Sequence, residues 1–180
     1  FELGLGYAIK KLNPFILDPE IFKEGLLKLK DVVHFGGQTT IADMAVGLFD
    51  FDNELNMQKL LYENEDTPFR VELIAHATAL IGRAGGTNEK TEQLISSLEE
   101  HNSHRLNFRK RVKLFTDGAF FAQAAQLLEP GYIDGHQGEW LSTPQQFEDI
   151  ARIYWNKGYA IHVHVTGDLG LELAIDTLEK

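Results

Sequence analysis

Four times along this chain a short run rich in β-branched and aliphatic residues is followed by a segment of helical periodicity. The strand-like runs are TTIADMAV (39–46), FRVELIAHAT (69–78), RVKLFTDGA (111–119) and YAIHVHV (159–165). The helical segments that follow them are NELNMQKLLYENE (53–65), TNEKTEQLISSLEEHNSHRLNF (87–108, with a loose hydrophilic exit), STPQQFEDIARIYWNKG (142–158) and LGLELAIDTLEK (169–180). Such alternation implies parallel strands joined by right-handed helical crossovers. It leaves two α/β architectures open: part of a (β/α)8 barrel, or a small doubly wound sheet.

The helix boundaries carry their own signals. Before the first strand, Asp18 and Pro19 open a helix whose apolar face is Ile21, Phe22, Leu26, Leu29, Val32 and Val33, and Gly36-Gly37 end it. The clearest helix is the one after Ser142. Thr143 caps it, Pro144 takes its first position, Gln146 completes a capping box, Phe147, Ile150, Ala151 and Tyr154 share its buried face, and Gly158 stops it. No repeat or linker interrupts the chain, so residues 1–180 are expected to form one domain.

Composition narrows the function. Acidic residues number 27 against 17 basic, a formal charge of −10, and the longest basic cluster is Arg109-Lys110-Arg111. Nucleic acid and anionic membrane surfaces are therefore poor partners. There is no cysteine, so disulfides and thiolate metal sites are excluded, and any metal must be held by His, Asp, Glu or a modified Lys. No apolar run approaches the roughly 20 residues of a membrane span, and no signal peptide is evident. The compartment stays open, with the cytoplasm favoured. The chain starts at Phe1 and stops within a helical pattern, and a piece of a longer protein is expected.

In parallel α/β folds the working residues gather at the C-terminal ends of the strands. The candidates there are Asp43, His76, Lys113, Asp117, His162, His164 and Asp168. Strand alternation puts His162 and His164 on one face and Ile161, Val163 and Val165 on the other. Two imidazoles in register suit either a hydrogen-bonded core pair or a metal site. Lys113, between Val112 and Leu114, needs an explanation, because a core-strand lysine is costly unless its charge is paired or removed. Pairing with Asp117 is one answer. Of the other histidines, His34, His101, His104 and His136 read as surface residues, and His76 as simple packing.

Taken in order, V-K-x-x-x-D-G-A (Val112, Lys113, Asp117, Gly118, Ala119), a capped helix, and then H-x-x-G-D (His164, Gly167, Asp168) resemble metal-dependent amidohydrolase family 3. That group comprises the YtcJ-like and N-substituted formamide deformylase-like hydrolases. FGGQTTIADMA (35–45) is more faintly similar to the family's second-strand pattern. The resemblance implies a (β/α)8 barrel of which this chain holds about strands two to five. It implies one or two divalent metal ions, zinc foremost, with His164 as the fifth-strand ligand and Lys113 as the fourth-strand lysine that is carboxylated to bridge metals. Asp117-Gly118 resembles the turn shaping the pocket, and Asp168 would orient neighbouring groups. His162 has no counterpart and is placed at the pocket wall.

The family's first-strand His pair, sixth-strand His and eighth-strand general-base Asp have no match in this chain, so the isolated chain is expected to be inactive. The implied reaction of the full-length protein is hydrolysis of a non-peptide C–N bond in a small amide or N-substituted formamide. Two readings stand beside it: a deaminase or cyclic-amide hydrolase on the same scaffold, and a metal-free binding module. Trp140, Phe120 and Phe121 suit an apolar or aromatic substrate, though packing alone accounts for each. Exposed edge strands would favour a homo-oligomer.

Overall fold

The computed structural model describes residues 11, 12, 14, 15 and 18–180. It is an α/β structure with four parallel strands hydrogen-bonded in the order β1-β2-β3-β4. Packing divides it into two compact units, the described parts of Lys10–Arg111 and Val112–Lys180.

The first unit holds α1 (Pro19–Phe35), β1 (Thr40–Val46), α2 (Phe51–Tyr62), β2 (Arg70–His76), the single turn α3 (Ala77–Leu80), α4 (Asn88–Ser97) and the start of β3 (Leu106–Phe115). β1 pairs with β2 in parallel, Ile41 opposite Val71 and Asp43 opposite Leu73. Val46, Val71, Leu73 and Ile74 are at most 1% exposed, so the core lies on this sheet.

Side chains set several boundaries where periodicity alone misplaces them. α1 opens where Asp18 accepts from the backbone N–H groups of Glu20 and Ile21, satisfying two donors that a helix start leaves unpaired. Its expected apolar face is mostly not buried: Val33 is, whereas Ile21, Leu29 and Val32 are exposed. A cavity of about 470 Å3 lined by Leu26, Leu29, Ile41 and Tyr62 lies beside it. α2 starts at Phe51, two residues earlier than its apolar period suggests, because Asp50 caps it by accepting from Asn53 N–H. The buried Glu54 carboxylate accepts from the N–H groups of Gly47, Phe49 and Asp50, which fixes the β1–α2 turn.

β2 ends at His76 because that imidazole's Nδ1 accepts from Ala79 N–H and turns the chain into α3. The helix expected over 87–108 is shorter than its pattern. α4 stops at Ser97, a 3-10 turn covers Leu98–His101, and β3 already begins at Leu106. The Asn102 side chain bonds both the N–H and the carbonyl of Phe108, so an asparagine takes over from the helix ladder and launches the strand.

The second unit holds the end of β3, α5 (Pro144–Asn156), β4 (Ala160–His164) and α6 (Asp168–Glu179). α5 matches its sequence signals closely. Thr143 and Gln146 form the reciprocal capping box, and Phe147, Ile150, Ala151 and Tyr154 are buried. Along α6, by contrast, Leu171, Ile175 and Leu178 remain exposed.

Removing the Thr143 hydroxyl leaves the Gln146 N–H without its cap. Thr143→Ala is expected to destabilise the protein by about 1 kcal/mol, read as a lower urea midpoint with an unchanged m-value.

Candidate functional site

The site lies in the second unit and is built from the ends of β3 and β4 with the loops that follow. On β3, Val112 and Leu114 point to one side and are 0% and 2% exposed, while Lys113 and Phe115 point to the other and are half-buried. On β4, His162 and His164 are half-buried. The His164 ring stacks on Phe115 with centroids 4.9 Å apart and planes inclined by 29°. Lys113 Nζ lies 4.9 Å from the centroid of that same Phe115 ring. The structure therefore brings Lys113 and His164 to the two ends of one aromatic contact. His162, two residues earlier on β4, shares the His164 side of the strand and is itself engaged in a contact.

Lys113 forms no ion pair with Asp117 or any other carboxylate among the described residues. Burial against its neighbours pushes its ammonium down from the usual lysine value, because removing the group from water penalises the charged form. Phe115 supplies the compensating face, a cation–π contact.

Asp117 is 0% exposed, and its carboxylate meets four donors. Oδ1 accepts from Thr116 Oγ1 at 3.0 Å and Thr166 N–H at 2.9 Å; Oδ2 accepts from Gln126 N–H at 2.9 Å and Gly167 N–H at 2.7 Å. Two of the four lie at the start of α6, where unpaired N–H groups favour an anion. Glycine makes the approach possible. A Cβ on Gly170 would sit 2.9 Å from Asp117, and one on Gly167 would sit 1.9 Å from the Gln126 carbonyl oxygen.

Asp168, the first residue of α6, accepts from Leu128 N–H at 2.9 Å and Leu169 N–H at 3.0 Å. Leu169 N–H in turn donates to the Gln126 carbonyl at 3.2 Å. Residues 126–128 are thus strapped across the Gly167-Asp168 turn. Trp140, half-exposed, closes the same loop through an antiparallel bridge to Asp117. Phe120 and Phe121 are 63% and 83% exposed, and the Phe120 ring packs against Tyr132 with centroids 5.9 Å apart.

The other candidates act locally in the first unit. Asp43 lies within β1, opposite the buried Leu73, and accepts from Gln58 Nε2 of α2 at 2.7 Å. His76 caps α3. His34, His101 and His104 are exposed, but His136 is not a bystander. Its ring stacks on Tyr132 with centroids 4.6 Å apart. Nδ1 lies 2.6 Å from Asp134 Oδ1, and Nε2 lies 2.9 Å from the carbonyl oxygen of Gln123. Gln123 is the one non-glycine with positive φ among the described residues. Sequence reading missed this cluster, for which Tyr-Ile-Asp-Gly-His was the available signal. It also missed Thr116, Thr166 and the 126–128 strap, whose partners are too distant in sequence to be seen.

Among the described residues, no group of three or more His, Asp and Glu side chains converges as a metal cage. The donor set fits part of a divalent-metal site: one imidazole, His164, with His162 near it, and one lysine whose amine is easier to neutralise than usual.

Two solved structures share the fold. An uncharacterized metal-dependent hydrolase of Pyrococcus horikoshii OT3 superposes with a TM-score of 0.66 at 20% identity over 97% of this chain and 33% of that one. An uncharacterized metal-dependent hydrolase of Pyrococcus furiosus does so with a TM-score of 0.64 at 22% identity, over 94% of this chain and 33% of that one. The chain thus spans about a third of the length of either. No family model matches the chain, and no curated protein does. Among the described residues, no helix is long and apolar enough to cross a membrane.

His136 faces two acceptors, and only the imidazolium donates to both. The Asp134 hydrogen bond, then the Gln123 carbonyl, raise its pKa, and the Glu139 charge adds to them. Because the folded value is raised, this clamp contributes fully below the ordinary imidazole value of about 6.5. It is lost as pH climbs through the folded value. An NMR titration is expected to show His136 titrating above the ordinary imidazole value of about 6.5, and Asp134→Asn is expected to lower it.

Proposed function

We propose that this chain is part of a metal-dependent hydrolase, built on a (β/α)8 barrel of amidohydrolase type, that cleaves a non-peptide C–N bond in a small amide or N-substituted formamide. The observation that carries the reading is that Lys113 and His164 both lie against one aromatic ring, that of Phe115, at the C-terminal ends of adjacent parallel strands. Working residues of parallel α/β folds gather there. The two structural neighbours described as metal-dependent hydrolases support the same reading.

His164 would hold a divalent cation, zinc foremost, through an imidazole nitrogen. Lys113 would hold it as a carbamate. Carbamate formation needs the neutral amine as nucleophile towards carbon dioxide, and burial of Lys113 moves it towards that form. When bound, the cation supplies Lewis-acid polarisation of the scissile carbonyl. His162, on the same side of β4, would form the wall beside the cation. Asp117 and Asp168 fix the loops around it, and the exposed Phe120 and Phe121 with Trp140 offer an apolar surface to the substrate. The remaining ligands and the general base would come from parts of the full-length protein outside these 180 residues.

Elemental analysis by plasma mass spectrometry of the full-length protein tests this directly. Near-stoichiometric zinc or another divalent metal is expected, reduced about tenfold or more in Lys113→Ala and His164→Ala. Absence of metal from the wild type after reconstitution with zinc and bicarbonate would defeat the reading. With metal present, turnover of formamides against release of ammonia from amino-heterocycles separates amide cleavage from deamination.

A further inference from the structure

The buried carboxylate of Asp117 is connected to His164 by two separate routes. Thr116 Oγ1 shares its one proton between Asp117 Oδ1 and the His164 carbonyl oxygen, each 3.0 Å away, and that carbonyl also accepts the Thr116 N–H at 3.1 Å. Thr166, whose N–H is another of its donors, places its own Oγ1 3.1 Å from His164 Nε2. One threonine pins the histidine's backbone and the other its ring, and a single carboxylate holds both. The donors on its second oxygen, Gln126 and Gly167, tie this assembly to the loop and to the start of α6.

We propose that Asp117 is a positioning residue for His164, acting through Thr116 on the main chain and through Thr166 on the imidazole. A carboxylate with a purely architectural role would fix the loop and leave the ring free to rotate. Here one ring nitrogen meets a hydroxyl carried on a backbone that Asp117 holds; the hydroxyl donates to a bare nitrogen or accepts from a protonated one, so it fixes the ring's orientation in either tautomer. The consequence for metal affinity rests on the reading of His164 as a ligand. The effect on the ring does not.

The test uses 15N-resolved NMR of the His164 ring in the metal-free protein, followed by zinc titration, for the wild type, Asp117→Asn, Thr166→Val and Thr166→Ser. The wild type is expected to show a His164 Nε2 shift displaced by the hydrogen bond with Thr166 Oγ1. In Asp117→Asn and Thr166→Val that shift is expected to move back towards the value of a ring without the bond, and Thr166→Ser restores the wild-type pattern. Zinc affinity is expected to fall about 10–100-fold in the Asn and Val variants and to recover in the Ser variant.

Thr166 is exposed, so its valine variant reports on the ring even if Asp117→Asn does not fold. Unchanged ring shifts in folded Thr166→Val overturn the proposal, as does a failure of Thr166→Ser to restore them. If the wild type binds no zinc but the ring shifts move as described, the positioning role stands and the metal reading falls.

Discussion

A carboxylate with no exposed surface, that of Asp117, is the constraint on which the second unit is built. Taking such a group out of water incurs a penalty on the order of several kcal/mol. No cation among the described residues offsets it at Asp117. Four hydrogen bonds do, each to a charged acceptor and each contributing roughly 1.5–3 kcal/mol. Three of these donors are main-chain N–H groups from two segments, residue 126 and residues 166–167. Folding must therefore bring the loop after β3 and the turn after β4 together around one anion. Two motifs that read in sequence as separate landmarks, D-G and H-x-x-G-D, are the two halves of this one object. The second motif's glycine is fixed by the Gln126 carbonyl, and Gly170, one turn further on, leaves the room the carboxylate needs.

This arrangement separates support from chemistry. Both oxygens of Asp117 are occupied by donors, which makes it a poor competitor for a ligand and a good anchor for its neighbours, while Asp168 anchors residues 128 and 169 through Oδ1. The groups left facing the open side of the strands are the Lys113 amine and the imidazoles of His162 and His164. Val112 and Leu114 on the reverse side are sealed. A two-residue period is enough to divide a strand in this way. It also explains why Lys113 is tolerated. Its Nζ lies 4.9 Å from the centroid of the Phe115 ring, and the residue is only half-buried.

Local chemistry was readable in the sequence, and long-range pairing was not. The capping box at Thr143 and Gln146 and the shared face of His162 and His164 depend on residues two or three apart, and propensity and periodicity capture them. α4 and β3 were misjudged because Asn102 reaches six residues ahead to Phe108, a side-chain bond that overrides a helical pattern. β2 was drawn too long because His76 serves as a cap, a role that Ser, Thr, Asp and Asn usually fill. The pairing of Lys113 with Asp117 suggested itself because they are near in sequence. The real donors to Asp117 lie 9, 49 and 50 residues away, apart from its neighbour Thr116, and no local signal points to them.

The loop from Gly118 to Trp140 is consequently held in two different ways. Its base is secured by Asp117, by Asp168 and by Gly138, whose absent Cβ admits the Ala125 carbonyl. Its outer part, carrying Phe120 and the strained Gln123, is held by an imidazole that needs two protons to satisfy both of its acceptors. Raising the pH therefore removes one of the two His136 hydrogen bonds, while the turn that carries Phe120 keeps its main-chain bonds from Ala122, Gln123 and Ala124. A neutral His136 keeps one acceptor and presents a lone pair to the other, while Thr116 and Thr166 keep His164 where it was. The contact that depends on the His136 protons and the Asp117 lock thus share no residue.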